Sequence, residues 1–250
     1  MDDNLALHAR HLHPWLTGAL VHQPGDVVIA DSGLHDDTFN VVAAARFTAE
    51  NARRRIAETL ALLDTGRPYS WWVGPSSTPA DLGDLLVAAG LRPSEAEVAM
   101  YLDVERLRDT AAPAGLVVRL AGTRDELRDF AVIVADDPPV PTRMRFYERV
   151  APAALAPGAA ARYFVGYTGG AAVAAAELFY GAGVAGLYSV VTLASHRRRG
   201  FGAALSSAAL RLAREDGYRV AVLQASGAGE PLYRRLGFEA IGEYREFAVG

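Results

Sequence analysis

The sequence predicts an α/β protein of two tandem units, and three observations carry that prediction. Apolar stretches of strand length alternate with segments of helical period along the whole chain. The composition shifts at TAAPAG, Thr110–Gly115, which reads as a linker. The order strand, helix, glycine, strand occurs once on each side of it. At 250 residues the chain is long enough for each unit to bury a core.

In the first unit, residues 1–110, DVVIA (Asp26–Ala30) and FNVVAAARF (Phe39–Phe47) read as strands. A helix over 49–63 follows, with Ile56, Leu60 and Leu63 at helical spacing. YSWWVGP is a short aromatic strand stopped by Gly74-Pro75. SSTPADLGDLLVAAGL has capping residues, a proline and an aspartate at its start and a glycine at its end, the marks of a second helix. Glu97–Val104 closes the unit as a strand.

The second unit, residues 115–250, opens with the strand GLVVRL and a helix from Thr123, where Glu126 stands at capping-box spacing. Asp136–Pro141 must be a loop, because no helix continues through its prolines. A helix over 142–150 is expected next. The strands RYFVGYT, AAVAAAELFY and VAGLYSVVTL follow, turned at Thr168-Gly169-Gly170 and Gly181-Ala182-Gly183. A helix from about Gly202 to Asp216, the strand YRVAVLQAS, the short helix GEPLYRRLG and the strand FEAIGEYREFAV complete the chain.

The two units echo each other. Aligned on Gly90 and Gly237, Leu91 matches Phe238, and Leu86 falls where Tyr233 stands. FNVVAAARF with its helix likewise parallels LYSVVTL with GFGAALSSAALRLAREDG. The pattern implies a duplication whose first copy lacks the arginine–glycine loop of the second.

Composition narrows the function. Net charge is −4, and the 25 basic residues are all arginine, a usage that GC-rich coding explains together with the heavy use of alanine. An acidic chain without aromatics interleaved among basic residues is a poor nucleic-acid binder. No apolar run reaches the roughly 18–20 residues of a membrane span. The acidic N-terminus does not read as a signal peptide, so a cytoplasmic location is expected. Without cysteine, disulfides, thiolate metal sites and cysteine nucleophiles are excluded, and no metal site is expected.

The most informative stretch is SHRRRGFGAAL, Ser195–Leu205. It places glycines in the first turn of a helix directly after a buried strand. The first N–H groups of a helix have no internal partner, and its dipole leaves about half a positive charge there. Gly200 and Gly202 lack the β-carbons that would hold a pyrophosphate away, and Ala203 and Ala204 keep the next turn thin. Arg197, Arg198 and Arg199 add charge at the rim.

Arg197–Gly202 resembles the Arg/Gln-x-x-Gly-x-Gly/Ala loop of the GCN5-related N-acetyltransferases (GNAT). Leu232-Tyr233-Arg234-Arg235-Leu236-Gly237-Phe238 resembles that family's closing Tyr-x-x-x-Gly-Phe motif. The match covers Gly115 to the C-terminus. It implies a mixed, mostly antiparallel sheet flanked by helices, preceded by a smaller, degenerate and non-catalytic GNAT-like domain. Acetyl-CoA would lie between the strand ending near Thr192 and the strand YRVAVLQAS. Its pantetheine would pair with the backbone of Val190, Val191 and Thr192, and its pyrophosphate would meet the amides from Arg198 through Gly200, Phe201 and Gly202 to Ala203. Ala194, Ser195 and His196 depart from the proline, acid and tyrosine common in the family, and His196 reads as a rim residue.

Transfer of an acetyl group to a primary amine needs a neutral amine and a protonated leaving sulfur. Tyr233 resembles the tyrosine that protonates the thiolate, and Ser226 stands where many relatives carry a cofactor-contacting asparagine. Glu177, the single acid of its apolar strand, is the candidate base, with a glutamate facing solvent or a neighbouring arginine as the plainer reading. Asp136 and Asp137, in the loop that borders the acceptor in the family, read as solvated acids or as attractors of a cationic amine. A non-catalytic acyl-CoA-binding protein is the alternative. The acceptor and the oligomeric state, a homodimer included, are left open.

Overall fold

The computed structural model describes residues 1–135 and 140–249. It divides into two compact units, Asp2–Ala99 with Ile241–Gly250, and Met100–Ala240 with Met1. The division falls at Ala99/Met100 and Ala240/Ile241, so the expected linker at Thr110–Gly115 lies inside the second unit, and the last ten residues count with the first. Asp136 and Asp137 fall outside the described residues.

The first unit contains α1 (Asp2–Arg10), β1 (Leu20–His22), β2 (Val28–Asp31), β3 (Val41–Ala43), α2 (Ala52–Leu63), β4 (Tyr69–Val73) and α3 (Leu82–Ala88). Strand β5 (Arg92–Asp103) starts here and ends in the second unit. The strands run β1-β2-β3-β4 and then β11 (Glu239–Val249), whose Arg245–Val249 pairs antiparallel with β4. β3 and β4 are parallel, and β1-β2, β2-β3 and β4-β11 are antiparallel. Its core gathers Ile29, Val42, Phe47, Ile56, Tyr69, Trp71, Leu82, Leu86 and Phe247.

The second unit continues with β6 (Val117–Leu120), α4 (Arg124–Val134), α5 (Pro141–Ala154), β7 (Ala161–Thr168), β8 (Ala171–Gly181), β9 (Val184–Thr192), α6 (Phe201–Glu215), β10 (Val220–Ala225) and α7 (Glu230–Leu236). Its strand order is β5-β10-β9-β8-β7-β6. β9 and β10 are parallel, whereas β9-β8-β7-β6 are antiparallel; the glycine turns close the β7-β8 and β8-β9 hairpins, and α4 and α5 connect β6 to β7. Helix α4 begins in the expected capping box, with Thr123 and Glu126 each satisfying the other's backbone.

The internal echo has a structural counterpart. In each unit a strand, a crossover helix and a parallel strand lead to a short helix closed by a left-handed glycine, Gly90 at φ 97° and Gly237 at φ 104°. The N–H of Leu91 donates to the carbonyl of Leu86 at 3.1 Å, and that of Phe238 to Tyr233 at 3.0 Å. These are the same Schellman closure, so Leu86 and Tyr233 occupy the same place in it.

Several elements differ from the sequence expectation. The strand foreseen over 39–47 is a 3-10 turn at Asp37–Phe39, then β3, then a kink at Ala44 (φ 53°). α2 starts at Ala52 because Thr48 and Asn51 tie the preceding turn through reciprocal side-chain bonds. α5 runs on to Ala154 through Pro152. α1 and β1 carried too few apolar residues to be foreseen: α1 buries Leu5 and Ala6 beside Asp2 and Asn4, and β1 is a three-residue edge. Among the described residues no helix is long and apolar enough to cross a membrane.

His13 is buried in the first unit, and its Nε2–H donates to the Phe39 carbonyl at 2.9 Å. Burial holds the imidazole below its usual 6.5, against the opposing pull of that bond and of Asp31. The unfolded chain then binds a proton that the folded chain refuses, so stability is full above that value and falls as the pH drops below it. Thermal midpoints taken from about pH 7 to about pH 5.5 should fall more steeply for the wild type than for His13→Gln. Parallel slopes would remove His13 as the cause.

Candidate functional site

The second unit holds a place where neighbouring strands part. The parallel ladder of β9 with β10 joins Ala185 to Ala221 and Gly186 to Val222 among the described residues. Beyond it β9 runs on to Thr192, held on its other side by β8 through Ala175↔Val191 and Ala174↔Thr192. Between Ala175↔Val191 and Glu177↔Tyr188 β9 carries an extra residue, with Ser189 and Val190 facing Ala176 and Ser189 in a left-handed conformation (φ 50°). Such a bulge turns the strand. Val190, Val191 and Thr192 are half-buried, and their β10-facing edge is not taken up by that ladder.

β9 leads through a 3-10 turn, Ala194–His196, to the arginine–glycine loop. Arg197 folds back, its Nε donating to the Thr192 carbonyl at 3.1 Å. Arg198 (φ 64°) and Gly200 (φ 81°) are left-handed and bring the chain into α6. The first bond into the helix from Gly200 is Ala204 N–H to its carbonyl at 3.0 Å, so the amides of Phe201, Gly202 and Ala203 precede the helical ladder. The helix therefore starts one residue earlier than expected, at Phe201, whose ring is buried and lends only its amide. His196 stacks on that ring at 6.2 Å, a packing role at the rim.

Gly202 ties these parts together. A β-carbon built there would lie 3.3 Å from Leu232 Cδ1, 3.8 Å from Thr192 Oγ1 and 3.9 Å from Val190 Cγ1. Strand end, helix start and α7 thus converge on one glycine. On α7, Tyr233 is buried and meets Phe238 edge-on at 5.8 Å. Ser226 is exposed, and its Oγ accepts the Gly229 N–H at 3.2 Å, so part of its capacity caps the turn into α7.

Residues 124–238 match the family model for the Acetyltransferase (GNAT) family. The C-terminal part of this chain is a GNAT acetyltransferase domain. Solved structures extend the likeness of fold across both units. A GCN5-related N-acetyltransferase from Kribbella flavida aligns over 99% of this chain and 95% of its own, at 21% identity and TM-score 0.70. A tandem GNAT protein from the clavulanic acid biosynthesis pathway aligns over 89% of this chain and 78% of its own, at 16% identity and TM-score 0.63. A functionally unknown conserved protein from Staphylococcus epidermidis ATCC 12228 aligns over 92% and 94%, at 11% identity and TM-score 0.66. No curated protein matches the chain.

In the GNAT domain Glu177 lies deeper than the loop. It is 2% exposed, opposite Tyr163 on β7 and Tyr188 on β9, with the Ser189 hydroxyl 3.4 Å from Oε2. The solvent-facing alternative for Glu177 is thereby excluded. Burial, and then the charge of Glu177, push the Tyr147 and Tyr163 hydroxyls well above the usual phenol range. Both therefore stay protonated at neutral pH. Tyr163 packs on Phe130 of α4 at 5.0 Å and Tyr147 of α5 at 6.4 Å, so these groups lie on the sheet face that α4 and α5 cover.

Sequence reasoning missed the partners of Glu177. Tyr147, Tyr163 and Tyr188 are separated from it by 30, 14 and 11 positions, and only strand register and helix packing bring them together. Among the described residues no cluster of His, Cys, Asp or Glu could hold a metal.

The loop should be costly to alter. Gly200→Ala forces a β-carbon into a left-handed residue, 3.3 Å from Pro113 Cγ. A loss of about 1 kcal/mol is expected in urea unfolding, and an unchanged midpoint would show that the loop relaxes around it.

Proposed function

We propose that the chain is an N-acetyltransferase that moves the acetyl group of acetyl-CoA to a primary amine, using the second unit. One observation carries the reading: the β9 edge that β10 leaves, with its Thr192 carbonyl held by Arg197 Nε, ends at an open helix N-terminus, with Gly202 at their meeting point. A β-carbon at 202 would crowd Leu232 Cδ1 at 3.3 Å and fill the space up to Thr192 and Val190, so the glycine keeps the cradle open. The edge from Val190 to Thr192 suits an extended ligand added as a short strand. The amides of Phe201, Gly202 and Ala203 suit a pyrophosphate, and Arg198 and Arg199 its rim.

Acetyl-CoA supplies an activated acyl thioester. The chain's part is to hold it and to manage protons. Glu177 takes a proton from the incoming ammonium, leaving a neutral amine. Once the carbon–nitrogen bond forms, that nitrogen gives up a second proton to solvent. Tyr233 donates its hydroxyl proton to the departing sulfur and regains one from solvent. The buried phenols of Tyr147 and Tyr163 stay neutral beside Glu177 and add no competing negative charge.

The first unit is read as a non-catalytic copy. The edge that follows β3 is closed by the chain itself: Phe47 N–H donates to the Thr78 carbonyl at 3.1 Å, and Thr78 N–H to the Ala45 carbonyl at 3.1 Å. Thr78 Oγ1 adds a bond to the Phe47 carbonyl at 2.8 Å. Leu86, in the place of Tyr233, is fully buried in the core and offers no proton.

Calorimetry should therefore find one acetyl-CoA site per chain, lost in Gly202→Glu through bulk and like charge. Two sites, or binding that survives the glutamate, would overturn the assignment. With an amine found by screening for released CoA thiol, Tyr233→Phe should lower kcat by roughly 10²–10⁴-fold at unchanged acetyl-CoA affinity. Unchanged turnover would remove Tyr233 from the mechanism. Binding without turnover on any amine would favour a non-catalytic acyl-CoA-binding protein.

A further inference from the structure

The polar residues around Glu177 form a row across the sheet, and the row reaches the parted strands. Directly paired residues share a face, and faces alternate every residue. Tyr163 pairs with Glu177, and Glu177 with Tyr188. Tyr188 shares its face with Gly186, whose partner is Val222, and two residues past Val222 comes Gln224. The row thus runs Tyr163, Glu177, Tyr188, Gln224 over β7, β8, β9 and β10.

Gln224 stands where β10 has left β9. It is half-buried, yet its Nε2 is shut off from solvent and has no hydrogen-bond partner. A buried amide donor left unmatched costs free energy that a bound acceptor oxygen would recover. The level of Gln224 identifies that oxygen. The cofactor reading places phosphates at Phe201–Ala203 and pantetheine along Thr192 to Val190. The chain end that carries the acyl group then lies deeper in the opening, level with Tyr188 and Gln224.

We infer that the Gln224 amide donates to the acyl carbonyl oxygen of the thioester, so that this position reads whether CoA is acylated. The inference rests on the acetyl-CoA reading of the site. It makes Gln224 a ligand-touching residue that the family motifs around it did not mark. No bond is made or broken; the amide supplies a hydrogen bond to an oxygen that CoA itself lacks.

The test is a comparison of acetyl-CoA with CoA by calorimetry, and it needs no acceptor. The wild type should bind acetyl-CoA roughly three- to tenfold more tightly than CoA, the size of one hydrogen bond. Gln224→Leu should bring that ratio to one while leaving CoA affinity within about twofold. Gln224→Glu, of nearly the same shape but without the donor, should do the same or invert the ratio, and it decides the matter if the leucine variant loses CoA as well. A wild-type ratio of one, or a preference that survives in both variants, overturns the role of Gln224 alone. Wild-type protein that binds neither ligand overturns the cofactor reading, and the inference with it.

Discussion

The constraint on which the second unit turns is the unmatched edge of β9. Backbone N–H and C=O groups inside a sheet are almost always paired, and an unpaired stretch in a central strand is costly. Yet β9 keeps its parallel ladder with β10 for only two positions. The bulge at Ser189 and Val190 turns the strand away, the loop after it reverses through two left-handed residues, and α6 starts with its own first amides unmatched. Two kinds of unmatched backbone group, strand edge and helix start, are therefore presented side by side. A ligand with an extended amide-bearing arm and an anionic end satisfies both.

The first unit shows the same geometry with the vacancy closed. β3 is parallel to β4, kinks at Ala44, and its continuation is paired by Thr78. The side chains complete the closure. Phe47, Trp71 and Leu86 belong to one buried cluster, with Phe47 and Trp71 edge to face at 6.4 Å. The second unit has Gly202 and Tyr233 where the reading proposed above needs thinness and a hydroxyl. The two units thus share one plan, the first satisfied by its own chain and the second, in that reading, by an added molecule. The tie between sequence halves is reciprocal: β11 completes the β4 side of the first unit, and the end of β5, followed by the Val104 N–H bond to Arg219 at 2.9 Å, flanks β10 in the second.

How much of this was legible depended on how local the cause was. The capping box at Thr123 and the glycine turns between β7, β8 and β9 are set by neighbours in sequence, and the sequence reading found them. The arginine–glycine loop was legible for the same reason, since helix-end chemistry lies within one turn. The unit boundary was not, because β11 pairs with β4 across 172 to 180 positions, Ser70 with Ala248 among them, and no local signal marks such an exchange. Gln224 was equally hidden. A glutamine in a strand is ordinary until register shows that it stands past the last paired residue with its donor unmatched.

The loop also shows why the site is ready before a ligand arrives. A non-glycine residue in the left-handed region costs on the order of 1–2 kcal/mol, and Arg198 sits there at φ 64°. Its neighbours over-determine that conformation. Arg197 is anchored to the Thr192 carbonyl, and His196 lies on the buried Phe201 ring. The strain is met by the fold itself, so in the acetyl-CoA reading proposed above the pyrophosphate need not reorganise the turn. Binding free energy that would be spent on ordering a loose arginine run is then available to hold the extended arm along β9. The three arginines matter less as a block of charge than as residues between fixed points, which places their guanidinium groups at the rim and leaves the helix amides clear.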